Sequence, residues 1–447
     1  MQRFLRLFMA EFKRIVGKTY IGLLVCLLVF NMLILVSDKT DDLQVTYAYI
    51  EMLNTAEGVK SDSKLSTEAA TIAWQEYFQK YEINGSDSSD KTAAAKQARE
   101  KLMQQAKYID NYKGIIEDKR QTAILYATAG TYKKNSFEYN NLLKTQYDLS
   151  QIIDADVQLS NGLWLEKLYK NNYIHLLTLI TCVYTVYMFF SERKNGLYHI
   201  VHTGQSGRGV LFVKRSIILL IQAVVTNVAL YTESAVMLLN RYDGVKDLNV
   251  AAVSDEYFIL TSGKLSRIQF LGLIILLSIL ANVVLSLVLW AILLCFGNVN
   301  IGLFFYCCIC VADVVIYKVI SAKSILQIFK YLNVYYLFFP NKAAEYFNWG
   351  CFNIAVSLLT TTIIVSVFIG ILALFASAYI SIRKYFTGKM NIVENAIELI
   401  LTYIMRLMVK TNNFGKEVYK IFSTVPFIGV YIVEFYIYNC REDIPSY

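Results

Sequence analysis

Long, almost uncharged apolar runs alternate with charged stretches along this chain, and the alternation sets its expected architecture. The apolar runs cover residues 20–36, 173–190, 216–239, 270–296, 301–319 and 354–382. Each is apolar on every helical face and near or above the roughly 20 residues an α-helix needs to cross a hydrocarbon core. A surface helix of a soluble protein keeps a polar stripe, so the pattern predicts six membrane spans. Two other regions follow different rules. In residues 1–18, Phe4, Leu5, Phe8, Phe12 and Ile15 recur at helical spacing among Arg3, Arg6, Lys13 and Arg14, the signature of a helix lying along a membrane face. Residues 37–171 contain no apolar run. Segments such as KLSTEAATIAWQEYFQKY and KTAAAKQAREKLMQQAKYID favour helix, with breaks at Asn84-Gly85-Ser86 and near Gly130. The expected fold is therefore all-α: a polytopic transmembrane helix bundle with a helical extracytoplasmic domain between spans 1 and 2. Residues 172–382 supply the remaining five spans around a polar loop at 191–215. Residues 383–447 hold an amphipathic stretch and a shorter apolar run at 427–438, a candidate seventh span that contains Glu434.

Composition agrees with this pattern. Hydrophobic residues make up 56% of the 447 positions and the mean hydropathy is +0.41, values that exclude an ordinary soluble domain. Only 3 Pro occur, the first at Pro340, so little interrupts helix upstream of it. The 33 Tyr and 26 Phe suit aromatic belts at membrane interfaces. The basic N-terminus and first apolar run resemble a signal peptide. The SDKTDD that follows has no small-residue cleavage site, so the first span reads as uncleaved.

Charge placement then orients the chain. The basic residues from Arg3 to Lys18, then Arg193, Lys194, Arg208, Lys214 and Arg215, then Arg383, Lys384 and Lys389 fall on one side of six alternating spans. Positive-inside sorting makes that side cytoplasmic, in a multi-pass protein of the cell membrane with its N-terminus inside. Acidic residues outnumber basic ones in 37–171, which is then outside. Lys323, Lys330 and Lys342 run against the trend, and the neighbouring KYLNVYYLFFP is expected to dip into the outer interface.

Few motifs carry chemistry. Gly17-Lys18-Thr19 has the end of a phosphate loop, but Phe12 stands where that loop needs its first Gly, and an amphipathic helix precedes it instead of a strand. No cofactor is expected in this chain. Cys307, Cys308 and Cys310 lie in an apolar helix pointing in different directions, which favours packing over a metal site. His199 and His202 share an i, i+3 spacing without accompanying ligands, and His175 is expected to hydrogen-bond at an interface. Ionisable residues inside spans are costly and so are functional candidates. Asp313 and Glu233 are the translocation or gating candidates, with Lys318 near Asp313; helix-to-helix hydrogen bonding is the competing reading. No nucleophile–base pair supports an enzyme, and nothing points to nucleic acid.

The loop FFSERKNGLYHIVHTGQSGRGVLFVKR carries the most specific pattern: Glu192, then Gly196, a short apolar stretch, then Gly207-Arg208 and Lys214 before a span. This resembles the ABC type-2 exporter permeases, the membrane-spanning subunits of ABC transporters. The resemblance implies that the loop is a coupling element docking on a separate ATPase subunit that binds ATP and Mg. It also implies that residues 1–18 are an elbow helix, with Glu11 and Arg14 at its acidic and basic positions. LSRIQF at 265–270, opening a span after a polar outer loop, is similar as well. The cargo that the resemblance allows is a peptide antibiotic or another amphiphile. The alternative is a non-transporting membrane sensor or immunity protein whose outer domain binds a ligand. Membrane lipid and a second permease half, or a homodimer, are further expected partners. Phe414, Glu417, Lys420 and Ile421 repeat the pattern of Phe8, Glu11, Arg14 and Ile15, as a second elbow would.

Overall fold

Alanine governs how the polar region packs. In the computed structural model, residues 2–37, 43–60, 65–81, 83, 90–171, 173–194, 205–260, 263–321, 326–351, 353–383 and 399 are described. The chain begins with α1 (Gln2–Ile15) and α2 (Lys18–Ser37), followed by the polar helices α3 (Leu43–Lys60), α4 (Ser66–Lys80), α5 (Asp90–Thr128) and α6 (Phe137–Ile152). Ala94, Ala95, Ala98, Leu102, Ala106, Tyr112 and Ile116 place one buried stripe along α5, and Ala69, Ala70 and Ala73 of α4 meet it. Small side chains at i, i+3 and i+4 let the helix backbones approach closely. The N-terminus of α4 has no side-chain cap of its own. Asp110 of α5 supplies one, accepting from the backbone N–H groups of Ser66 at 2.8 Å and Thr67 at 2.9 Å. Burial pushes the Asp110 carboxyl up, and these N–H groups more than offset it, holding it below the usual range.

The apolar region follows: α7 (Leu163–Lys170), α8 (Tyr173–Phe189), the short α9 (Ser191–Lys194), α10 (Gln205–Tyr242), α11 (Arg267–Cys295) and α12 (Val299–Val319). Then come three short helices, α13 (Gln327–Tyr331), α14 (Tyr335–Phe338) and α15 (Pro340–Ala343), and α16 (Leu358–Arg383). Five helices are long and apolar enough to cross a membrane: Lys18–Ser37, Gly207–Tyr242, Arg267–Cys295, Val299–Val319 and Leu358–Arg383. The architecture is thus nearly all helical and compatible with a multi-pass membrane protein. The expected span at 173–190 does not stand alone, because α8 has 17 residues. It makes a sixth crossing only when joined to α7, from which it is bent by 48°.

Three further expectations are corrected. Residues 354–357 do not open a helix. They form β2 (Ile354–Ser357), antiparallel to β1 (Asn348–Cys351), with Asn348 opposite Ser357 and Cys351 opposite Ile354. The two ends of the 191–215 loop belong to helices, since α10 starts at Gln205 and carries Gly207, Arg208 and Lys214. The aromatic run from 335 onward is covered by protein. Tyr335 to Asn341 are buried between helices, in a core shared with Trp290 and Leu303. Irregular backbone is tolerated among spans only where protein covers it. The second elbow and the seventh span lie outside the described residues.

Candidate functional site

Two arginines and two glutamates meet where α1 joins the bundle. Ile15 is buried, and Phe8 and Phe12 pack against the same core, so α1 is fastened by its apolar face. Glu11 and Arg14, one turn apart, then lie beside α9 and α10. Glu11 Oε1 is 2.5 Å from Arg14 Nη2 and 2.9 Å from Arg215 Nε. Glu192 Oε1 is 2.8 Å from Arg14 Nη1 and 2.7 Å from Arg215 Nη2. Each carboxylate therefore bridges both guanidinium groups. Arg215 also lies 5.5 Å from the centre of the Phe189 ring. Phe189 and Phe212 both pack on Trp290, at 5.1 and 4.9 Å. The charged ring thus sits on an aromatic layer that joins α8, α10 and α11. Lys214 is buried next to it, within electrostatic reach of Glu11.

Glu11, Arg14 and Glu192 are the sequence candidates that this joint brings together. Gly207 lies in α10 with open space beside it, and Arg208 is half-buried in the same helix. Gly196, His199 and His202 fall outside the described residues. Arg215 bridges both carboxylates, yet among the sequence signals it counted only towards sidedness. Nothing in its local pattern separates it from Lys214.

Among the gating candidates, Glu233 accepts from Asn31 Nδ2 at 2.8 Å, and the same amide reaches Ser234 Oγ at 2.9 Å, which ties α2 to α10. Asp313 Oδ1 accepts the Val334 N–H at 3.3 Å, while its buried Oδ2 has no hydrogen-bond partner among the described residues. Glu233 and Asp313 therefore belong to different junctions. Among the described residues, no three His, Cys, Asp or Glu side chains converge as a metal site would need.

At the opposite end of the bundle, a second arginine anchors the polar helices. Arg267 is fully buried at the start of α11, whose N-terminus carries a capping box of Ser266 and Gln269. Its Nε and Nη2 each lie 3.1 Å from one oxygen of Asp255, Nη2 donates to Ser160 Oγ at 2.9 Å, and Nη1 donates to the Asp247 carbonyl at 3.3 Å. Asp247 accepts the Asn161 N–H at 2.7 Å, and the Asn161 amide donates to the Tyr242 carbonyl at the end of α10. From the polar domain, Gln105 donates to the Ser160 carbonyl and Tyr108 to the Val253 carbonyl, both at 2.7 Å. Gly162 is required here, because a Cβ at that position would lie 1.8 Å from Asp255 Oδ2. Burial pushes the Asp255 carboxyl up to about 6 despite the opposing pull of Arg267. Burial and then the Asp247 charge push Glu57 up to about 7. A cavity of about 410 Å³ borders this knot, lined by Asp154, Asp156, Lys246, Lys264 and Gln269, among others.

Between the two arginines runs a buried seam without any charge. His175, Thr178, Thr181 and Thr185 of α8 face Gln222, Thr226 and Asn227 of α10 and Ser278, Asn282 and Ser286 of α11, all of them buried. The seam was missed because none of these residues is ionised. Its one sequence signal is a polar residue every third or fourth position on each of three helices. His175 is buried within the bundle: Nε2 lies 2.8 Å from the Leu337 carbonyl and Nδ1 2.7 Å from Ser278 Oγ.

No family model, no curated protein and no solved structure matches this chain.

Proposed function

We propose that this chain is the membrane-spanning permease subunit of an ATP-driven exporter, working with a separate ATPase. The observation that supports this reading best is the charged joint. It ties the amphipathic α1 to both flanks of the polar 191–215 segment, the place where a docking partner's motion would enter the bundle. Arg215 carries the pull onward, because its helix, α10, packs against α2, α8, α11 and α16. On this reading α1 and residues 191–215 face the cytoplasm, the polar helices lie outside, and the cargo is a peptide or another amphiphile. Movement of the joint counts as transport only where the cargo binds the two bundle states unequally.

The test is purification of the chain from its native membranes. An ATP-hydrolysing subunit is expected to accompany it, and Gly196→Trp, which places a bulky ring in the docking segment, is expected to abolish that association. A purified chain with no such subunit, or a Gly196→Trp variant that binds it as before, overturns the reading. The second reading, a sensor or immunity protein, is favoured by the cavity beside Arg267, whose Asp and Lys side chains offer both signs of charge to a ligand. Retained ligand binding by a chain that never associates with an ATPase would select it.

A further inference from the structure

Counting hydrogens along the uncharged seam shows that it is one short. Hydroxyls and amides there have few choices. Thr178 donates to the His175 carbonyl, Thr181 to the Thr178 carbonyl, and Thr226 to the Gln222 carbonyl. Asn227 is oriented by its own helix, since Nδ2 donates to the Ala223 carbonyl at 2.7 Å and a flipped amide would put two oxygens together there. Asn227 Oδ1 therefore faces Ser278 Oγ at 2.7 Å, and it also accepts from Asn282 Nδ2 at 3.2 Å.

Ser278 has a single hydroxyl hydrogen. It lies between two acceptors, Asn227 Oδ1 at 2.7 Å and His175 Nδ1 at 2.7 Å. His175 Nε2 must carry a hydrogen, because it faces a carbonyl, which only accepts. In a neutral ring Nδ1 is then bare and competes with Asn227 for the Ser278 hydrogen, so one of two close contacts lacks a proton. A second ring proton removes the conflict. Nδ1–H donates to Ser278 Oγ, Ser278 O–H donates to Asn227 Oδ1, and Nε2–H donates to the Leu337 carbonyl.

We propose that His175 is a proton-binding site, and that the bound proton fastens α8 to α10, to α11 and to the buried turn at 335–338. The proton comes from solvent and adds to the Nδ1 lone pair; no other bond is made or broken. The opposing cost is that of a buried cation without a counter-charge. Among the described residues, the groups acting on the ring are Ser278 Oγ of α11 and the Leu337 carbonyl of α14, and no ionised side chain is among them. From α10 the Tyr231 phenol borders Ser278, and on α8 itself the Cys182 thiol lies farther along the seam, against Thr181, Gln222 and Ser286. The site is thus empty of its extra proton in alkaline conditions and filled on acidification, and the packed arrangement around the 335–338 turn tightens as pH falls. This inference does not depend on the transport reading.

Solid-state NMR of the full chain in lipid bilayers, with nitrogen-15-labelled histidine, reads both ring nitrogens directly. Signals lost in His175→Gln identify the residue against His199 and His202. The expected result is one protonated nitrogen at alkaline pH and two at acid pH. Asn227→Ala releases the Ser278 hydrogen to Nδ1, so proton affinity at His175 is expected to fall about tenfold. Should that variant fail to fold, Ser278→Ala removes the acceptor for Nδ1–H and is expected to shift the affinity in the same direction. A purely structural role would leave the titration unmoved. A His175 ring that keeps one proton down to the acid limit of the folded protein overturns the proposal. So does a variant titration that superimposes on the parent's.

Discussion

Arg215 and Arg267 are both buried arginines held by carboxylates, at opposite ends of the bundle, but they are built differently. Arg267 has one carboxylate partner, gripped through two nitrogens, with a hydroxyl and a carbonyl taking up further donors. Its side chain is 0% exposed, and among the described residues Asp255 has no second cation. Arg215 shares two carboxylates with Arg14, whose side chain is 30% exposed. Withdrawing Arg215 leaves Glu11 and Glu192 still paired, whereas withdrawing Arg267 strands Asp255 in a buried site. The Arg267 arrangement is a lock, and the Arg215 arrangement is a joint that can exchange partners. A lock suits the root of the polar domain, and on the proposed transport reading a joint suits the end where a partner's motion would be received.

The largest effect should come from the lock. Arg267→Met is expected to lower unfolding stability in detergent or nanodiscs by about 3–5 kcal/mol, because it leaves a buried carboxylate unpaired. Arg267→Lys should recover little, since an ammonium cannot make the two-nitrogen contact. At the joint, Arg215→Ala is expected to cost less, about 1–3 kcal/mol. A double-mutant cycle with Arg14→Ala should show a coupling energy on the order of 1 kcal/mol, because either arginine covers for the other. Equal losses from the two single substitutions, Arg267→Met and Arg215→Ala, would erase the distinction between lock and joint.

The smallest effect is one of pH. Asp255, at about 6, and Glu57, at about 7, both lie above the ordinary carboxylate value of roughly 4. The folded state therefore binds protons more tightly than the unfolded one. The contribution of these two groups to stability is then greatest below the unfolded value, falls as pH rises from roughly 4 to about 7, and stays level beyond. Melting temperatures of the full chain should accordingly be higher at pH 5 than at pH 8. Glu57→Gln should raise the value at pH 8 and flatten the profile. A profile that Glu57→Gln leaves unchanged would locate the pH response elsewhere.

Legibility followed the kind of residue involved. Glu11, Arg14 and Glu192 stood out because charges beside an apolar run are few and their spacing is conspicuous. The convergence of Glu11 and Glu192 on Arg215 was not visible, because Glu11 lies 204 positions away and Lys214 has the same charge next door. Arg267 could be seen opening a span inside LSRIQF, but not its partner Asp255, which reaches it only through the turns between α10 and α11. The seam stayed hidden because Thr, Ser and Asn scattered through apolar helices scarcely change their hydropathy. The 354–382 run misled for a related reason. Ile354, Ala355 and Val356 suit a strand as well as a span, and pairing with Asn348–Cys351 decided between them.

The sequence alone determined that this chain is largely helical, that it carries several apolar runs suited to crossing a membrane, and that a charged helical region separates the first of them from the rest. Those properties are set by residues near one another, through periodicity and transfer free energy. That five of the six expected runs form helices long enough to cross on their own was settled by the structure. Only the tertiary structure decided which polar groups meet: Arg215 with Glu11 and Glu192, Arg267 with Asp255, and His175 with Ser278 and the Leu337 carbonyl. A buried hydrogen bond needs both partners placed to within a few tenths of an ångström, and that placement depends on how whole helices pack, which no local pattern encodes.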